Sequence, residues 1–233
     1  MYEIRQKNER GVTETKTVKS YHSFTFNRYY NQNYLAWSDL RVLNEDFVAP
    51  KSGFPTHAHR NQLIITIVLE GVLEHKDSTG NISYLAAGDV QLMSAGTDIE
   101  HSEYNPSETD SLHVLQIWIA PRTLDEKPYY MKCAPFPEKG SDGFVSFLSE
   151  KGSEGQKINQ DITISKGFFK ENDEVTLPNE KRYYWLQIVS GEALLKGQKI
   201  VAGDGIHYFE EDLALQVQSS DFQCLLFDMQ VPK

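Results

Sequence analysis

Cysteine is nearly absent from this chain. Cys133 and Cys224 are the only two, far apart and outside any CxxC arrangement. That excludes a disulfide scaffold, and the pair reads as unpaired thiols of a reducing cytoplasm. Long apolar runs are also missing, and none approaches the roughly 18 residues that span a bilayer. Residues 1–19 are polar and mixed in charge, without the apolar core of a secretory signal. A soluble cytoplasmic protein is therefore expected. No basic run occurs, and 33 acidic against 23 basic residues leave a net charge of −10. Such a balance argues against neutralising nucleic-acid phosphates or an anionic membrane surface.

What remains is a chain able to bury a core. Hydrophobic residues make up 39% of it, and Tyr and Phe, 12 each, favour strands. Its 233 residues suffice for two domains of about 100 residues each. Residues 63–69 (LIITIVL) form a short β-branched run ended by Glu70-Gly71. Residues 72–76 resume it, and DSTGN at 77–81 supplies a turn. Strands are expected again at 82–85, at 90–93 after the turn Ala86-Ala87-Gly88-Asp89, and at 112–119 (LHVLQIWI). Short strands with regular turns point to an antiparallel sandwich or barrel.

Residues 121–143 break this pattern with Pro121, Pro128, Pro135, Pro137, Gly140 and Gly143, although Tyr129, Tyr130 and Phe136 could pack. The pattern then returns. Residues 185–189 (WLQIV) end at Ser190-Gly191, and Val201-Ala202-Gly203-Asp204 repeats the earlier glycine turn. Strands are expected at 205–209, 213–217 and 223–229. The interval between the two glycine landmarks falls from 17 residues in the first copy to 12 in the second, as a shortened hairpin would make it. This reads as an internal duplication of one β-barrel plan. The expected division is a first barrel over 1–120, a connection over 121–143 and a second barrel over 144–233.

His57 and His59 are one residue apart, as are His101 and Glu103. On a strand, residues i and i+2 share a face. Two such pairs on facing strands of a small barrel would bring three nitrogens and a carboxylate to one point. That donor set suits one divalent transition ion, among Fe(II), Mn, Co, Ni, Cu and Zn, and leaves positions open for substrate. The second copy serves as an internal control. Equal offsets from its glycines give Leu177, Asn179, Gln216 and Gln218, none a usual ligand, so only the first barrel should hold metal. Of the other histidines, His75 lies in a charged EHKDS hairpin and reads as an exposed turn residue. His113 and His207 read as structural, and His22 has no visible partner.

The stretch Gly53-Phe54-Pro55-Thr56-His57-Ala58-His59-Arg60 resembles the pirin family closely. So do Val68-Leu69-Glu70-Gly71, Ala87-Gly88-Asp89-Val90-Gln91, Met93-Ser94-Ala95-Gly96 and His101-Ser102-Glu103. The likeness covers nearly the whole chain. It implies an all-β bicupin, two consecutive double-stranded β-helix barrels. It also implies one metal, iron(II) foremost, held by His57, His59, His101 and Glu103, and an activity like that of quercetin 2,3-dioxygenase on a flavonol and O2. Glu103 is then the proton acceptor, and Phe54, Met93 and Gln116 are candidate pocket-lining residues. Departures from the family are Leu63 where many relatives have Glu, Ala58 for the usual Pro and Ile67 for a frequent Tyr; they bear on substrate preference. A metal-loaded, redox-responsive regulatory protein is the alternative, and the four ligands serve both readings equally. A monomer is expected, since two barrels can bury a shared face within one chain.

Overall fold

The computed structural model describes residues 1–133, 143–152 and 156–232. Pro135, Phe136, Pro137 and Gly140, assigned above to the connection, lie outside them. The described residues are strands joined by turns, with a single 3-10 turn at Lys7–Glu9 and no α-helix. None forms a helix long and apolar enough to cross a membrane. The first strands are β1 (Tyr2–Arg5), β2 (Gly11–Glu14), β3 (Val18–His22), β4 (Leu40–Val48), β5 (Gly53–His59), β6 (Leu63–Glu70), β7 (Val72–Asp77), β8 (Ile82–Ala86), β9 (Val90–Ser94), β10 (Ile99–Tyr104), β11 (Leu112–Ile119) and β12 (Tyr129–Lys132). They are followed by β13 (Gly143–Ser149), β14 (Gln156–Lys157), β15 (Ile162–Phe169), β16 (Glu174–Thr176), β17 (Tyr183–Ser190), β18 (Glu192–Leu195), β19 (Gln198–Val201), β20 (Gly205–Phe209), β21 (Ala214–Val217) and β22 (Phe222–Met229).

Two compact units result. One is Gly11–Phe136; the other joins Met1–Arg10 to Pro137–Lys233. The first unit has a seven-stranded sheet, β12-β9-β6-β11-β4-β3-β2, and a four-stranded sheet, β5-β10-β7-β8. The second has sheets of the same sizes, β1-β20-β17-β22-β15-β13-β14 and β16-β21-β18-β19, and differs at an edge, where β14 pairs parallel with β13 while β2 pairs antiparallel with β3. Each is a cupin barrel, so the fold is the expected bicupin. The ends of the units differ from the expected boundaries. β1 pairs with β20 of the second unit, and β12, inside the stretch read as a connection, pairs with β9 of the first. Both additions extend the same edge of equivalent sheets.

The turns show why the plan repeats. Gly71 (φ +82°) and Gly191 (φ +76°) follow β6 and β17 in a left-handed conformation that L side chains rarely adopt. Asp89 Oδ2 accepts from Ala86 N, and Asp204 Oδ2 accepts from Val201 N, closing the two glycine turns alike. The shortened hairpin of the second copy is β18-β19, turning at Lys196-Gly197. The continuous apolar run of β6 is buried over six residues and sits mid-sheet between β9 and β11, as a strand covered on both faces requires.

The two interiors differ in kind. In the second barrel Val175, Leu177, Tyr184, Leu195, Ile206, Tyr208, Leu213, Leu215 and Phe222 form one large hydrophobic cluster. In the first, apolar clusters around Leu73, Leu85 and Val114 and around Ile64, Met93 and Ile99 coexist with buried Thr66, His75, Gln91, His101, Glu103 and Gln116. Burying polar groups costs free energy unless each finds a partner, so this polar patch needs an explanation beyond folding.

Candidate metal centre

β5 and β10 are hydrogen-bonded neighbours in the four-stranded sheet, not strands facing each other across the barrel as the spacing suggested. His57 stands directly opposite His101, and a bulge between His101 and Glu103 shifts the register there. Ile99, His101 and Glu103 are the buried alternate residues of β10, so the one-residue spacing does place His101 and Glu103 inward. Ring centroids are 4.7 Å apart for His57–His59, 4.5 Å for His57–His101 and 4.9 Å for His59–His101. One ring nitrogen from each of the three lies within 4.8 Å of the others. Glu103 forms a second trio, by the same measure, with His101 and His75.

Hydrogen bonds fix how these groups point. His57 Nδ1 donates to Pro55 O at 2.8 Å, which leaves Nε2 with its lone pair free. His59 packs edge-on against Trp118, with centroids 4.8 Å apart. Burial first, then the neighbouring imidazoles, lowers the pKa of His59 to about 4 and that of His101 to about 3. Both rings are neutral at pH 7, the form a metal ligand needs. Glu103, 2% exposed, accepts at Oε1 from Gln91 Nε2 (2.8 Å) and Thr66 Oγ1 (3.2 Å). Its Oε2 accepts from Gln116 Nε2 at 2.7 Å, and Gln116 Oε1 accepts in turn from Trp118 Nε1.

These residues fit a bound cation. All three donors to Glu103 are neutral, and no cationic side chain pairs with it among the described residues. Both ring nitrogens of His101 are buried without a hydrogen-bond partner. Unpaired buried polar atoms cost about 1–3 kcal/mol each, and a divalent ion would give both the carboxylate and the imidazole a partner.

The remaining sequence expectations divide. Phe54 and Gln116 line the cavity beside the trio. Met93 does not; it is buried with Ile64, Ala95 and Ile99. His75 is not an exposed turn residue: its side chain is 0% exposed, because it shares the inward phase of β7 with Leu73. His22 has partners, Thr13 Oγ1 and Asn44 Oδ1, each at 2.8 Å. In the second barrel, strand register equates His75 with Leu195 and Glu103 with Leu215, which face each other as His75 and Glu103 do. His101 then corresponds to Leu213, rather than to Gln216, because Leu213 lies only four residues past the end of β20, whereas His101 lies seven past the end of β9. Leu177, the counterpart of His57, holds its place, and its N donates to Leu213 O. Leucine thus fills the positions of His57, His75, His101 and Glu103, and Asn179 that of His59.

The cavity has a volume of about 440 Å³. Its floor includes buried Ser20, His22, Asn44, Asp46, His59, Glu103 and Gln116; Thr15, Thr17, Asn27, Pro55 and Thr56 form an exposed rim. Phe26, Phe54 and Trp118 supply aromatic walls. Burial pushes Asp46 up to about 7; the hydrogen bond from Ser20 opposes it, and the nearby Glu103 and Glu45 carboxylates add to it. A carboxylate with a raised folded pKa weakens the fold as pH climbs from its unfolded value, near 3.8, to its folded one. Asp46→Asn should therefore gain on the wild type progressively between pH 4 and pH 7 and level off above. Unfolding midpoints of the two metal-free proteins across that range check this.

Comparison with known proteins places the chain in a family. Residues 4–119 match the pirin family, and residues 146–229 match the family described as quercetinase C-terminal cupin domain. Quercetin 2,3-dioxygenase of Escherichia coli K12 is 38% identical over 230 residues, covering 98% of this chain and 99% of its own. A crystal structure of the bacterial pirin YhhW from E. coli in complex with nickel(II) superposes with a TM-score of 0.92 at 36% identity, covering both chains fully. A quercetin 2,3-dioxygenase structure from Acinetobacter baumannii, 18% identical, shares the fold with a TM-score of 0.79 over 99% of this chain and 79% of its own.

Proposed function

The chain belongs to the pirin family, and from that premise we propose that it is a metal-dependent dioxygenase that opens the central ring of a quercetin-like flavonol with O2. The observation that carries this reading is the solvent-open cavity lined together by His57, His59, Glu103 and the aromatic side chains of Phe26, Phe54 and Trp118. Its volume falls in the range of small-molecule sites, about 300–1,000 Å³. A regulatory protein sensing metal oxidation state would not need such a cavity beside the ligands.

His57, His59, His101 and Glu103 are proposed to hold one divalent ion, iron(II) first, in the first barrel only. When bound, that ion supplies Lewis-acid acidification of the flavonol 3-hydroxyl. The side chains do the rest. Phe54, Phe26 and Trp118 offer flat surface on which a planar polyphenol can stack. Asn44, Asp46 and Ser20 offer hydrogen-bonding partners for its ring hydroxyls. Glu103 receives the 3-hydroxyl proton at Oε2, the oxygen that accepts one bond while Oε1 accepts two. Gln116 keeps that carboxylate aimed as it changes protonation state. Both atoms of O2 enter the cleaved product, a depside, and the lost ring carbon leaves as carbon monoxide.

Aerobic quercetin turnover by protein loaded separately with Fe(II), Mn, Co, Ni and Cu tests the proposal. Loss of flavonol absorbance matched by carbon monoxide release is expected, and both should vanish in Glu103→Ala. No turnover with any metal, at a confirmed content of about one ion per chain, would refute it for flavonols.

A further inference from the structure

His75 takes no part in the chemistry above, yet it is buried as completely as any group in the first barrel. Its side chain and that of Asp77 are both 0% exposed, and Nε2 lies 3.1 Å from Asp77 Oδ2. A carboxylate can only accept, so Nε2 carries the proton and Nδ1 presents a lone pair. Asp77 cannot swing away, because Thr79 and Asn81 also donate to it. Nor can the ring turn freely, since it stacks on Tyr130 with centroids 4.5 Å apart and planes 20° from parallel. The His75 lone pair thus has a fixed direction, and nothing accepts or donates there: Nδ1 is buried without a partner.

His101 has the matching defect, with both ring nitrogens buried and unpartnered. The two rings are 5.3 Å apart, and strand register sets Asp77 opposite His101 and Glu103 opposite His75. A His101 that gives one nitrogen to an ion must carry its proton on the other. Donation of that proton to His75 would satisfy all three orphaned nitrogens at once. We infer that His75 is a positioning residue for the metal centre, the second member of a chain Asp77–His75–His101 that fixes the tautomer and ring orientation of His101 when an ion binds. Such outer partners of a ligand histidine raise its basicity, and their loss typically lowers metal affinity about 10–100-fold. The second barrel has Leu195 at this position, as it has leucine in place of His101 and Glu103.

The inference rests on His101 being a ligand, so the test carries His101→Ala in parallel. Co(II) binding is titrated, and the visible spectrum of the Co(II) protein recorded, for wild type, His75→Phe, Asp77→Asn and His101→Ala. Phenylalanine keeps the stacking on Tyr130 and removes the nitrogens. The asparagine side chain of the Asp77→Asn variant keeps an oxygen for Thr79 but can donate to His75, reversing its tautomer. Affinity should fall about 10–100-fold in both the His75 and the Asp77 variant. The spectral bands should shift while the number of nitrogens around cobalt, counted by X-ray absorption, stays constant. Wild-type affinity and spectrum in His75→Phe, with His101→Ala inactive in binding, would overturn this inference and leave the ligand assignment standing. Retained affinity in His101→Ala would remove the ligand assignment itself. Loss of a nitrogen neighbour in His75→Phe would make His75 a ligand and overturn the positioning role. Should His75→Phe unfold, unchanged binding in Asp77→Asn would be sufficient to overturn it.

Discussion

Replacing His101 by alanine should abolish metal retention and, with it, flavonol turnover, while leaving the protein folded. His101 is the residue common to both groups of candidate ligands, the one with His57 and His59 and the one with His75 and Glu103. No other donor among the described residues belongs to both. Its removal is expected to cost more than the roughly 100-fold affinity lost when an outer partner of a ligand is deleted. Stability should suffer little in the metal-free protein, because the imidazole makes no hydrogen bond whose loss would strand a partner. The check is metal content after dialysis against trace chelator, beside the unfolding midpoint. Full metal content in the variant would remove His101 from the site. A collapsed midpoint would mean that the ring is needed for packing rather than for binding.

Gly53→Ala should damage fold and site together. Gly53 opens β5 opposite Tyr104, next to the bulge that follows His101. A Cβ there would lie 2.2 Å from Glu103 O and 2.6 Å from Tyr104 Cα. Both are backbone atoms, so no side chain can simply rotate aside. Relief requires β5 and β10 to part, and these strands carry the two pairs of donors. Overpacking of this kind costs about 1–3 kcal/mol. The same movement should widen the separation of His57 and His59 from His101 and Glu103 and weaken metal binding at least tenfold. Thermal unfolding of the metal-free protein and a Co(II) titration measure the two effects. Lost stability with unchanged affinity would show that the strands can part elsewhere than at the ligands.

The two donor pairs were legible in the sequence because strand periodicity is two and glycine turns bracket them. The duplication was legible through Ala-Gly-Asp at 87–89 and 202–204. Periodicity says which face a residue takes but not which strand lies beside it, so the pairing of β5 with β10 could only be seen in the fold. The bulge between His101 and Glu103 leaves no mark in composition. His75 was misread because Glu74, Lys76 and Asp77 surround it with charge. Its phase with Leu73 was the available signal, inward on a strand whose alternate residues are exposed or half-buried. Gln91 and Thr66, which hold Glu103, lie inside apolar runs where nothing distinguishes a donor from a tolerated polar residue. Equal offsets failed at Gln216 and Gln218 because Leu213 lies four residues past the end of β20, whereas His101 lies seven past the end of β9. Residues at the chain start joined the second unit through β1, a pairing across some two hundred residues that no local pattern announces.

The most direct test of the central claim is to locate the ion. Crystals of the nickel(II)-loaded protein, measured at the nickel absorption edge, should give a single anomalous peak in the first barrel. Nε2 of His57, a ring nitrogen of each of His59 and His101, and a carboxylate oxygen of Glu103 should surround it, with no peak among Leu177, Leu213 and Leu215. A peak held by His75, His101 and Glu103 without His57 and His59, or one in the second barrel, would contradict the account.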